Sequence, residues 1–199
     1  MRAKVHWFRA EAAKSPREVA GALALVAWGS ARRMVASIRK AGFDLDPGDA
    51  YFDFLAEALA FEVQVAWRGA HGRYGDAQRV EFMNELAHSL ARILAENRSD
   101  LLGVDAREAE RRFVADLNRR IEEYGDFEYG AEGPSFAFLR YFASLLQPLV
   151  PEKDRRWIHD QVIAIEAPEA ASAIAKGLDA LLDAGPGRLR RPASGVHGE

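Results

Sequence analysis

Apolar residues recur three and four positions apart through long stretches of this chain. Nowhere do they alternate with polar residues over enough β-branched positions to argue for a strand. The pattern predicts an all-α fold, a layered bundle of six to seven helices. Ser15-Pro16-Arg17-Glu18 supplies an N-cap serine, a proline for the first turn and a glutamate to reach back, so a helix runs from Pro16 to about Ala41 and stops at Gly42. Asp46-Pro47-Gly48-Asp49 repeats that logic and opens a second helix to about Ala70, which Gly72 and Gly75 close. A third spans Ala77 to Asn97. Asp105 caps a fourth that reaches Tyr124 before Gly125, and a fifth follows Gly133-Pro134 and ends before Pro148. Pro151 opens a sixth, and Pro168 either kinks it or starts a seventh that ends near Ala184, at Gly185-Pro186-Gly187. A segment from Ala3 to Ala13 carries helical pattern without strong caps. Arg188 to Glu199 is polar and rich in Gly and Pro, which reads as disorder. The expected organisation is one helical domain over 1–185 and a basic, disordered tail over 186–199.

Projection at about 100° per residue separates outer helices from inner ones. Phe82, Leu86, Leu90, Ile93 and Leu94 share one face of the third helix. Phe113, Val114, Leu117, Ile121 and Tyr124 share one face of the fourth, and Ile174, Leu178, Leu181 and Leu182 one face of the last. The first two helices differ. Val19 to Trp28 is apolar nearly all round, and the second helix keeps only a narrow polar stripe of Asp53, Glu57, Gln64 and Arg68. Helices apolar on nearly every side need cover on nearly every side, so these two are expected at the centre, or one of them in a subunit interface.

Composition narrows the setting. The 199 residues suit one domain with a full core, and the absence of cysteine removes disulfides and thiolate metal sites. A formal net charge of -3 gives no overall drive toward nucleic acid or anionic lipid. The basic residues before Val19 and the Gly29-Ser30-Ala31 after Trp28 have the outline of a secretory signal. Glu11 and Glu18 interrupt that positive region, and the run falls short of the roughly 20 apolar residues a membrane span needs. The expectation is a cytoplasmic protein without membrane contact.

Candidate chemistry is sparse. Glu85 and His88 have metal-ligand spacing, but they project with Glu81, Arg92 and Glu96 onto the face opposite the apolar stripe, where they are ordinary surface neighbours. Glu62 is the better anomaly. It lies nine residues after Asp53, about two and a half turns, and so faces away from the polar stripe, with Tyr51, Leu55, Ala58, Leu59 and Ala66 on its side. A buried carboxylate must be paired, hydrogen-bonded or protonated. An internal pair with Arg32, Arg33 or a tyrosine hydroxyl is the first expectation; the functional alternative makes Glu62, with Tyr51, the polar anchor of an apolar ligand pocket.

The acidic, aromatic segment from Glu122 to Gly133 repeats Glu-Tyr-Gly, and Tyr124, Phe127 and Tyr129 mark it as a candidate partner loop. The alternative is that Tyr-Gly merely ends a helix, with the tyrosine packed on the core. Its spacing does not match a calcium loop. Arginines 107, 111, 112, 119 and 120 are outnumbered by neighbouring acids, which describes a solvated face rather than a phosphate track. No nucleophile elbow, glycine-rich phosphate loop or His-Glu-x-x-His occurs, so no cofactor, metal or nucleic acid is expected. The leading expectation is a non-enzymatic interaction protein acting as a homodimer through the first helix or the Phe136 to Phe142 segment. The second is a binding protein or enzyme for a small apolar molecule, with a pocket beside Glu62 lined by the second and fifth helices. A metal-dependent bundle enzyme ranks third.

Overall fold

In the computed structural model, which describes residues 14–183, the capping signals become helices almost where they stand. The elements are α1 (Pro16–Lys40), α2 (Asp49–Gly69), α3 (Asp76–Leu102), α4 (Ala106–Gly125), α5 (Phe136–Leu146), α6 (Arg155–Gln161) and α7 (Ala167–Asp183). The segment before Lys14 and the tail beyond Asp183, for which a further helical stretch and disorder are expected, lie outside the described residues. Ser15 caps α1 through a reciprocal box: its hydroxyl accepts from the Glu18 N–H while Glu18 accepts from the Ser15 N–H. Asp105 and Ser135 cap α4 and α5 by a single bond each, accepting from the Glu108 and Phe138 N–H groups.

α6, expected to open at Pro151, begins at Arg155 after a turn, and three further boundaries differ from expectation, each for a local reason. α2 begins at Asp49 rather than at Pro47, because Asp46 accepts from the Gly48 N–H and closes a turn ahead of the helix. α3 runs past Asn97 to Leu102; its stop is Gly103, whose φ of +70° suits a left-handed cap. Between α6 and α7 the helix does not break at Pro168. It widens into a π turn over Val162–Glu166, in which the Ala167 N–H reaches back to the Val162 carbonyl. Proline has no N–H and its ring crowds the carbonyl four residues earlier, so the wider turn carries the chain past Pro168 without ending it. The chain also contains a minimal hairpin, β1 (Tyr129–Gly130) against antiparallel β2 (Gly133–Pro134), which no alternation in the sequence announces.

The protein is an all-α bundle. α2 touches α1, α3, α4, α5 and α7, and the stretch from Ala58 to Ala66 is buried without interruption. α1 packs on α2, α3 and α7 and leaves a strip open at Leu25, which is 67% exposed. α7 closes on α1 at Gly177, where an added Cβ would stand 3.1 Å from Val26 Cγ1 and 3.3 Å from Leu23 Cδ1. A side chain there would require Val26 and Leu23 to give way by a few tenths of an ångström.

Candidate functional site

Asp49, Asp53 and Glu57 recur every four residues, which puts them on one face of α2. That face, expected to meet solvent, meets α3 and α4 instead. Arg98 of α3, 8% exposed, donates to Asp53 at 3.0 Å and to Asp49, and Arg112 of α4 adds a contact to Asp53 at 3.3 Å. One turn on, Arg120 of α4, also 8% exposed, grips both oxygens of Glu57, with its Nε at 2.8 Å, and reaches Glu123 at 2.6 Å. Tyr141 of α5 donates its hydroxyl to Glu123. A cleft of about 290 Å³ opens between α2 and α4 over these groups.

The electrostatics of this seam favour permanence over proton transfer. Burial tends to raise the Glu123 carboxyl, but hydrogen bonds from Tyr141 and Arg120 outweigh it and hold the group below its ordinary range. Burial and the bond to Glu123 push the Tyr141 phenol up to about 12. Both groups are moved away from neutrality, the opposite of what a general acid or base requires. Arg120, expected on a solvated face, is buried, and so is Arg98, for which no expectation stands.

Glu62 lies on the other side of α2, against α1. It is 1% exposed, as the projection requires, but the expected ion pair is absent: both carboxyl oxygens are buried without a hydrogen-bond partner. Burial raises its pKa well above the ordinary carboxylate range; the Ser30 hydroxyl and the Arg33 charge oppose the shift without completing a bond. Burial therefore favours the protonated form of Glu62 in this seam. Tyr51, proposed beside it as a ligand anchor, is not brought to it. Eleven residues of helix, roughly 16 Å at the usual rise, separate them, and Tyr51 instead stands under the Arg39 guanidinium, 5.3 Å from its ring centre.

The structure does bring Tyr124, Phe127 and Tyr129 together, but on the inside of the loop. Tyr124 is fully buried, which answers the question of its role in favour of core packing. Its ring lies tilted at 4.6 Å from that of Phe138, Phe127 stacks at 5.1 Å on Tyr141, and Tyr129 meets Phe138 edge-on. Arg68, from the last turn of α2, completes the arrangement. Its Nη2 donates to the carbonyls of Tyr124 and Phe127 at 3.3 Å and of Gly125 at 3.4 Å, placing a cation at the C-terminus of α4, where the helix dipole favours one. Asp126, Glu128 and Glu132 remain exposed on the outer side.

A larger cleft, of about 740 Å³, lies between Arg68, the hairpin and α7. α5 contributes Leu139 to it and α2 contributes Arg68, but it is not the pocket expected beside Glu62, which does not line it. Glu85 and His88 line a shallow surface cleft with Arg17 and Glu81; Glu85 accepts from Ser89 at 3.2 Å and His88 donates to the Asn84 carbonyl at 2.7 Å. Among the described residues no three metal-binding side chains converge.

Comparison with protein-family models, with curated proteins and with solved structures finds no significant match. Among the described residues no helix is long and apolar enough to cross a membrane.

The residues that sequence reasoning missed leave a signal. Arg120 falls on the same stripe as Phe113, Leu117 and Tyr124, and Arg98 continues that of Ala91 and Leu94. A charged residue inside an apolar stripe marks a group that the fold buries, as it does at Glu62. Glu166, 2% exposed, is a further one; it accepts from Ser37 at 2.7 Å and from Gln161 at 2.9 Å.

Proposed function

We propose that the protein is a non-enzymatic, cytoplasmic interaction module whose partner-binding element is the acidic segment 125–133 between α4 and α5. The observation that carries this reading is the clamping of that segment. Three carbonyl contacts from Arg68 and the stacked aromatics fix its backbone, and Asp126, Glu128 and Glu132 project from it into solvent. Charges displayed on a preorganised loop lose little freedom on binding and select a partner of opposite sign, here a basic protein segment.

The test leaves the aromatics alone, because they hold the loop. Asp126→Asn, Glu128→Gln and Glu132→Gln together should leave the melting temperature within about 2 °C and abolish salt-sensitive capture of a basic partner. Equal capture by wild type and triple variant would remove the loop from the function.

The same reading includes a homodimer. Phe138 and Phe142 are buried in the subunit's own core, so the surface left for it is Phe136, 66% exposed, or Leu25 on α1. Light scattering that returns a monomer at every concentration would remove this part of the proposal.

A further inference from the structure

The clamp on the loop uses only part of Arg68. Its Nη2 serves three carbonyls, its Nε is buried without an acceptor, and among the described residues no carboxylate pairs with it. This guanidinium stands at the wall of the 740 Å³ cleft, a volume within the usual range for small-molecule sites. Tyr129, half-buried on the same wall, lies close enough for the Arg68 charge to act on its hydroxyl. Facing them are small and apolar groups from the hairpin, α5 and α7: Pro134, Leu139, Ala171, Ala175 and Leu178. The other charges around the cleft are already answered or stand apart. Arg73 pairs with Asp179, His71 contacts Arg79, and Glu132 is exposed at the hairpin tip.

We propose that this cleft binds a small organic carboxylate with an apolar body, its carboxylate against Arg68 and Tyr129 and its body against the α5 and α7 wall. A guanidinium without a carboxylate beside an apolar trough complements that amphiphile in both charge and polarity. A neutral analogue would forgo the charge-assisted bonds, and a cation would meet Arg68 head-on. The site is independent of whether the outer face of the hairpin takes a partner.

Calorimetric titration of the full chain with octanoate, octanol and octylamine tests this. Octanoate should bind saturably, octanol at least about tenfold more weakly, and octylamine not at all. Arg68→Gln should weaken octanoate binding by about the same factor. Because that change also loosens the loop, a second variant is needed: Ala175→Trp, at an exposed position of α7, should fill the cleft and abolish binding with the melting temperature retained. Absent octanoate binding, equal binding of octanol, or an Ala175→Trp variant that binds like wild type would each overturn the proposal.

Discussion

Glu57 and Glu62 stand five residues apart on α2, and the seams they face have opposite electrostatics. Toward α4, Glu57 meets the two-pronged guanidinium of Arg120, which also holds Glu123, and Tyr141 closes the set. Toward α1, Glu62 meets the single hydroxyl of Ser30 and the more distant charge of Arg33, and none of its oxygens finds a partner. The residue type does not decide its own state; the facing helix does. α4 delivers a long, forked cation into the gap, whereas the α1 arginines nearest in sequence, Arg32 and Arg33, are exposed and make no bond to Glu62. The charged seam ties outer helices to the centre. The neutral seam lets two apolar helices meet, at the cost of one unsatisfied acid.

Breaking the charged seam should have the largest effect. Arg120→Met strands Glu57 in a poorly solvated groove and leaves Glu123 with Tyr141 alone, and urea unfolding should show a loss of about 3 kcal/mol. Adding Glu57→Leu should recover part of that loss, because a matched apolar pair replaces the stranded charge. A single variant within experimental error of wild type would mean that the seam contributes nothing to stability. Repairing the neutral seam comes next: Glu62→Met removes two orphaned oxygens while keeping the volume, and should raise stability by about 1–3 kcal/mol. A loss of similar size would reveal a partner for Glu62. Tyr141→Phe deletes one hydrogen bond to Glu123 and should cost about 1 kcal/mol. It should also move the Glu123 titration up toward the ordinary carboxylate range, as followed by carbon-detected NMR.

The smallest change sharpens the comparison through pH. Ser30→Ala should shift stability at acid pH by less than about 0.5 kcal/mol. It should, however, steepen the decline in stability with rising pH, because the hydroxyl opposes the upward shift of Glu62. In the unfolded chain Glu62 ionises at the ordinary carboxylate pKa, and in the fold it does so only well above it. Between those values unfolding releases a proton, so this group's contribution is full at acid pH and declines as pH climbs toward the folded pKa. Glu123 behaves oppositely: its contribution is present above the ordinary carboxylate range and is lost as pH falls through its lowered value. A wild-type stability profile scanned from acid to neutral pH, with Glu62→Gln as reference, separates the two. The advantage of Glu62→Gln over wild type should grow with pH.

Local features of the fold were legible, and the pairing of surfaces was not. Ser15, Pro16 and Glu18 announce α1 because a cap is satisfied within four residues, and nine residues of helical rotation suffice to turn Glu62 away from Asp53. The state of Glu62 depends on what α1 presents, which no periodicity in α2 contains. The stripe of Asp53 and Glu57 reads as solvent-facing for the same reason. Amphipathic projection recognises a polar face but not a polar face turned toward another helix. Arg120 is obscured by its neighbours: counted with the acids around it, it looks like one more surface charge, although its place between Leu117 and Tyr124 marks it as internal. The loop aromatics are found and misdirected. Tyr124, Phe127 and Tyr129 stand out as a group, but that Phe61, Phe138 and Phe142 wait beneath them depends on α2 and α5 converging there.

The contrast between the two seams is tested most directly by titrating the glutamate side chains of the folded protein by carboxyl carbon NMR, with Glu62→Gln to assign the resonance. The account predicts that the Glu62 carboxyl keeps the chemical shift of a protonated acid at neutral pH while that of Glu123 remains ionised below the ordinary carboxylate range. A Glu62 resonance that titrates with the exposed glutamates would contradict it, and would require a partner or a path to water at the α1–α2 seam.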